Sequence, residues 1–137
     1  MRTQLGLLAA GVALVVSAAP LLGHHSFAAE YDSTKPITLK GTVTRVEWTN
    51  PHARFYVDTT DDKGNMVTWN MELASPSALA RNGWTSRTLK VGDMVTVQGY
   101  AAKVAPNRGN ARSVVTADGR SLFGGAADDN GPAGGNQ

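Results

Sequence analysis

The 137-residue sequence has no cysteine and only three histidines. The first absence excludes zinc fingers and other thiolate metal sites, leaves the fold without disulfides, and restricts any metal to nitrogen or oxygen ligands with methionine as the only sulfur. Charge of one sign is also lacking. Thirteen Lys and Arg face eleven Asp and Glu, a formal net charge of +2, which is too small an excess to favour nucleic acid or an anionic membrane as partner. There is no basic stripe with interleaved aromatics, no phosphate-cradling glycine loop and no glycine-flanked serine of the nucleophile-elbow kind. Glu47, Asp58 and Glu72 are the only acids in strands close to a histidine-bearing segment, so the usual catalytic signatures are missing. Long hydrophobic runs are absent too: "LGLLAAGVALVV" falls well short of the roughly eighteen residues of a spanning helix.

That run has its own meaning. Arg2, the apolar stretch and then "SAAPLLG" have the three-part form of a secretory signal. Residues 1–23 are therefore read as a signal peptide and the protein as exported, to the periplasm or beyond the cell. Two cuts fit the small-residue rule: after Ala18, with Pro20 close behind, or after Gly23, which frees His24 as the first residue. A cut after Leu22, giving Gly-His-His, puts leucine where a small residue is needed.

Beyond residue 36 the pattern is one of strands. "ITLKGTVTRVEW" alternates through Ile37, Leu39, Gly41 and Val43, then shifts phase to Val46 and Trp48, which predicts a bulged, coiled strand. "HARFYVDTTDDKGNMVTWNMEL" predicts a hairpin about "DDKGN", with Phe55 and Val57 on one face and Arg54, Tyr56 and Asp58 on the other. "SPSALARNG" carries a short helix: Ser75 as N-cap, Pro76 at the first position, Gly83 as stop. Strands follow in "DMVTVQGYA" and, after the loop "KVAPNRGN", in "ARSVVTADGRSLF". Five strands with one short helix between the third and fourth predict an all-β, OB-like Greek-key barrel; a small open β-roll would share that order. The expected divisions are a signal at 1–23, an N-terminal arm at 24–36, the barrel at 37–123 and a glycine-rich, disordered tail at 124–137.

Several segments now invite comparison. "HHSFAAEYD" after a signal, "VEWTNPHA", "SPSALARNGW", "LKVGDMVTV" and "ADGRSLF", in this order, resemble a secreted bacterial family, domain of unknown function 6152, over roughly His24 to Phe123. The resemblance implies export and domain limits rather than an activity. In that family the cut is usually alanine followed by the double histidine, whereas Gly23 stands here.

All three histidines fall in two of these segments. With a cut after Gly23, His24 would offer its amine and its ring nitrogen to one metal ion, and a further imidazole would complete a three-nitrogen histidine brace that suits copper. His52 is the expected third donor and His25 the alternative. An arm reversing near Lys35-Pro36 would run back along the first strand, both spanning about 40 Å, and bring His24 to the end where His52 lies. Against this, "TNPH" is also an ordinary turn, and Phe27 is also a plain anchor for the arm. The competing site is the polar hairpin face, where folding pairs Arg54 with Glu72 and Tyr56 with Asn70, beside Trp48. It would suit a peptide, a saccharide or a partner protein. On a solvated face the same Arg-Glu pair is sheet dressing worth under about 1 kcal/mol. Trp69 and Trp84 are expected in packing roles, and Met66, Met71 and Met94 are too scattered for a methionine-rich copper site. The expected protein is thus an exported envelope binding module, for copper or for a non-metal ligand; a brace alone does not make a copper enzyme.

Overall fold

The computed structural model describes residues 27–125. The signal segment, His24, His25 and residues 126–137 lie outside the described residues. The elements run α1 (Phe27–Glu30), β1 (Tyr31–Glu47), β2 (Arg54–Thr60), β3 (Met66–Glu72), α2 (Pro76–Arg81), β4 (Met94–Ala102), β5 (Arg108–Thr116) and β6 (Ser121–Phe123). The fold is mostly β, with two short helices.

β1, 17 residues long, organises the rest. Its first part pairs antiparallel with β4, from Pro36 opposite Tyr100 to Thr42 opposite Met94. Its second part pairs antiparallel with β2, from Gly41 opposite Thr59 to Glu47 opposite Arg54. Gly41 and Thr42 serve both partners, and a Cβ on Gly41 would lie 2.0 Å from the Asp58 carbonyl oxygen. Only glycine permits so close an approach. The register shift between Val43 and Arg45 falls where the apolar phase of the sequence changes.

β2 and β3 form the expected hairpin, with Arg54 opposite Glu72 and Thr60 opposite Met66. β3 then meets β5 in parallel, Asn70 opposite Arg108 and Glu72 opposite Asn110. The sheet order is β3-β2-β1-β4-β5-β6, and the β3–β5 link makes the pairings a circuit through β1, β2, β3, β5 and β4.

Two details differ from the sequence reading. β1 begins at Tyr31 rather than Ile37, so the chain does not reverse at Lys35-Pro36 but continues as strand. Pro36 is tolerated because the pairing with β4 is interrupted between Tyr31 and Pro36. The final segment is two strands rather than one: Gly119, at φ +86°, turns the chain so that β6 folds back on β5 with Ser113 opposite Phe123. The Asp-Gly pair at 118 and 119 is a hairpin signal in its own right.

The alternation of β2 and β3 puts Phe55, Val57, Met71 and Leu73 inside, where they join Val43, Val95, Val97, Ala111 and Val114. Each large apolar side chain so buried contributes about 1.5–3 kcal/mol, and Phe55→Ala is expected to cost about 3–5 kcal/mol. α2 is built as its sequence suggests. The Ala78 amide donates to Ser75 Oγ at 3.3 Å, Pro76 opens the first turn, and Gly83 at φ +85° follows its end. Its Leu79 is buried in the core, and the Trp84 indole donates to the Phe123 carbonyl at 2.8 Å.

Candidate functional site

Residues that alternate away from the core along β2 are Arg54, Tyr56 and Asp58, opposite Glu72, Asn70 and Thr68 on β3. They bond one another across the strands. Arg54 Nη2 donates to Glu72 Oε2, Arg54 Nη1 to Asn70 Oδ1 at 3.3 Å, and Asn70 Nδ2 to the Tyr56 hydroxyl at 3.4 Å. The register read from the sequence is therefore present. The solvated face is not: Glu72 is only 6% exposed. The reason is tertiary, because β5 lies along the outer edge of β3 at this point and Arg108 brings its Nη2 to 3.8 Å from Glu72 Oε2. The same Nη2 lies 3.6 Å from Glu30 Oε2.

The start of β1 reaches the same carboxylate. Burial, and after it the negative charge of Glu72, push the Tyr31 hydroxyl well above the ordinary tyrosine range. Around Glu72, the Tyr31 hydroxyl, Arg108 Nε and Asn110 Oδ1 are buried and make no hydrogen bond of ordinary geometry among the described residues. β1 thus contacts this corner twice, through Tyr31 at its start and through Glu47, paired with Arg54, at its end.

His52 completes the corner from the segment joining β1 to β2. The Ala53 amide donates to the Ala74 carbonyl at 3.1 Å and the Leu73 amide to the Ala53 carbonyl at 2.9 Å, so the hairpin ladder continues past Arg54 and fixes the backbone at His52. Its Nδ1 lies 2.8 Å from Glu72 Oε1. With Nδ1 committed to the carboxylate, Nε2 is the remaining ring nitrogen, and it makes no hydrogen bond to any described residue. The side chain is 30% exposed, so Nε2 belongs to a partly accessible imidazole held by a buried acid. A carboxylate on one ring nitrogen is the arrangement that orients a metal-binding imidazole.

A model of the family described as "Family of unknown function (DUF6152)" matches residues 12–112. The chain belongs to DUF6152. The matched stretch contains every histidine, the hairpin and Arg108, and ends before β6 and the "ADGRSLF" segment. No curated protein and no solved structure matches the chain.

In this DUF6152 domain the sequence-predicted residues divide unequally. His52, Arg54, Tyr56, Asn70 and Glu72 come together in one bonded chain. Trp48 does not join them and packs, half-buried, against the core. His24 and His25 lie outside the described residues. Sequence reasoning missed Glu30, Tyr31, Arg108 and Asn110. Arg108 falls in "KVAPNRGN", whose glycine and proline read as loop, and nothing in "AAEYD" marks Tyr31 as buried. Among the described residues no three His, Asp or Glu side chains gather as a metal cage, and no helix is long and apolar enough to cross a membrane.

Proposed function

We propose that the protein is an exported envelope module that binds copper through the amine and ring of His24 and through Nε2 of His52, with His25 as the substitute imidazole. The observation that carries this reading is the 2.8 Å contact between His52 Nδ1 and the buried Glu72 carboxylate. An imidazole restrained through Nδ1 presents Nε2 to a metal, and a cysteine-free chain with scattered methionines offers chiefly nitrogen and oxygen donors, of which copper favours nitrogen in a tetragonal plane.

Support for His24 comes from the start of the described chain. Phe27 packs on Tyr31 with ring centroids 5.5 Å apart, and Tyr31 is the residue beside Glu72. His24 precedes Phe27 by three positions, a reach of at most about 11 Å. The route differs from an arm reversed at Lys35-Pro36; it depends on β1 curling until its start neighbours the strand that carries Glu72.

The same reading takes the fold as an OB-like Greek-key barrel. The closed circuit of pairings, the parallel β3–β5 link and α2 between β3 and β4 support it, with β6 as an addition. His52 then stands in one of the loops that frame ligand sites in such barrels. A non-metal site for a peptide, saccharide or partner protein on the hairpin face has less support. Arg54, Tyr56, Asn70 and Glu72 are engaged with one another, and Trp48 with the core.

The test is the native intact mass of the exported protein with and without one equivalent of copper. A chain that begins at His24 and retains one copper, with retention lost in His52→Ala and weakened about 10–100-fold in Glu72→Gln, is the expected result. A chain beginning at Ala19, or one that holds no copper, overturns it.

A further inference from the structure

The two oxygens of the Glu72 carboxylate serve different elements. Oε2 receives Arg54 Nη2 from β2 and has Arg108 Nη2 from β5 at 3.8 Å, while Oε1 faces His52 Nδ1 at 2.8 Å. The two guanidinium groups are not equivalent. Arg54 makes a direct hydrogen bond and gives its other terminal nitrogen to Asn70 Oδ1 at 3.3 Å, whereas Arg108 stands too far from Glu72 for a hydrogen bond and shares the same nitrogen with Glu30 at 3.6 Å. Asn70 is fixed in turn. Its Nδ2 donates to the Tyr56 hydroxyl at 3.4 Å and its backbone amide to the Asn107 carbonyl at 2.9 Å. One planar group therefore spans Asn70 and Glu72, two residues of the same face of β3.

We propose that Arg54 is a positioning residue for His52: by holding Oε2 while anchored on Asn70, it fixes the plane of the Glu72 carboxylate, so that Oε1 meets Nδ1–H and Nε2 is the nitrogen presented. This deepens the copper reading above and rests on it for the use of Nε2, but every residue in it lies within the described chain. The last torsion of a glutamate is broad and roughly two-fold, so a carboxylate without a fixed partner on one oxygen turns either oxygen towards a neighbour. Which nitrogen of a histidine carries the proton is set by the hydrogen bond the ring makes. A carboxylate accepts, so an oriented Oε1 selects the Nδ1–H form. Lysine at position 54 keeps the charge and loses the fork, because an ammonium on a flexible stem does not hold two acceptors in one plane. Arg108 acts on Glu72 through charge, which lysine retains.

The experiment is heteronuclear NMR of the histidine ring nitrogens in the full, metal-free exported chain at about pH 8, above the ordinary imidazole range, with His52→Ala assigning the His52 signals. The wild type is expected to show His52 in the Nδ1–H form alone. Arg54→Lys is expected to lose that single pattern, the Nε2–H form appearing beside it, while Arg108→Lys keeps it. Asn70→Ala, which removes the second anchor of the fork, moves the ring in the same direction by a smaller amount and carries the test should Arg54→Lys not fold. A wild-type ring that is already mixed overturns the proposal, as does an Arg54→Lys protein that folds with the wild-type ring pattern, even where it is less stable. Equal loss in both lysine variants overturns it too, since any disturbance of the corner would then suffice. The copper reading fails separately, on a wild-type chain that holds no copper, and the ring pattern decides the role of Arg54 in either case.

Discussion

The two ends of the β2–β3 hairpin carry the same kind of chemistry in different surroundings. Near the turn, Thr68 Oγ1 donates to Asp58 Oδ1 at 2.5 Å in solvent, and Asp61 Oδ1 accepts from the Lys63 and Asn65 amides at 2.9 Å and 2.8 Å. At the far end, on the same face of the same strands, a half-buried Arg54 meets a buried Glu72. Both ends pair polar residues across the ladder. What separates them is β5, Tyr31 and Arg108, which cover one end and not the other. An acid on a sheet face gains consequence when it loses water, since its partners must then replace hydration in full.

The largest expected effect breaks this contrast directly. Glu72→Ala leaves Arg54 without its carboxylate and Arg108 with Glu30 alone, and is expected to destabilise the fold by about 3 kcal/mol, the lower end for a broken buried pair because both guanidinium groups keep partial access to water. Asp58→Ala, its counterpart towards the turn, is expected to change stability by no more than about 0.5 kcal/mol. Urea unfolding of the two variants measures both. Equal losses would mean that burial does not distinguish the ends.

A smaller effect appears at alkaline pH and belongs to the covered end alone. The folded state holds the Tyr31 proton to higher pH than the unfolded chain does, through burial first and then the Glu72 charge. The contribution is complete below about pH 10, the ordinary tyrosine value, and is lost as pH rises through the folded value. Urea midpoints between pH 9 and 12, on the scale of about one proton released, should fall more steeply for the wild type than for Tyr31→Phe. Parallel slopes would remove Tyr31 from the covered corner.

The smallest effect sits at the turn and has the opposite sign in pH. Hydrogen bonds to Asp61, led by the Asn65 amide, hold its carboxyl below the usual carboxylate range. Its contribution is present above the unfolded value and is lost as pH falls through the folded one. Asp61→Asn should flatten the acid limb of the stability profile and leave the alkaline limb untouched.

Much of the scaffold was legible before any coordinate. Period-two alternation places Phe55 and Val57 against Arg54 and Tyr56, and the register from Arg54 to Glu72 follows from where "DDKGN" turns. The caps of α2 and the bulge after Val43 have local causes and are read from local residues. The second turn at Gly119 was equally local and was passed over, because "ARSVVTADGRSLF" reads as one strand when the Asp-Gly pair is not weighed. Tyr31, Glu30 and Arg108 left no such trace. Their roles arise from pairings between segments far apart in the chain, and no short window of sequence contains both partners.

By itself, then, the sequence determined the strand pattern, the hairpin face, the absence of thiolate chemistry and the short set of nitrogen donors. Each of these depends on residue type or on spacing within a few positions. Only the tertiary structure decided that Glu72 is buried, that His52 is bonded to it and that Arg108 ties it to Glu30. Burial of a charge is a property of what lies above it, and here that cover comes from the first strand and the fifth.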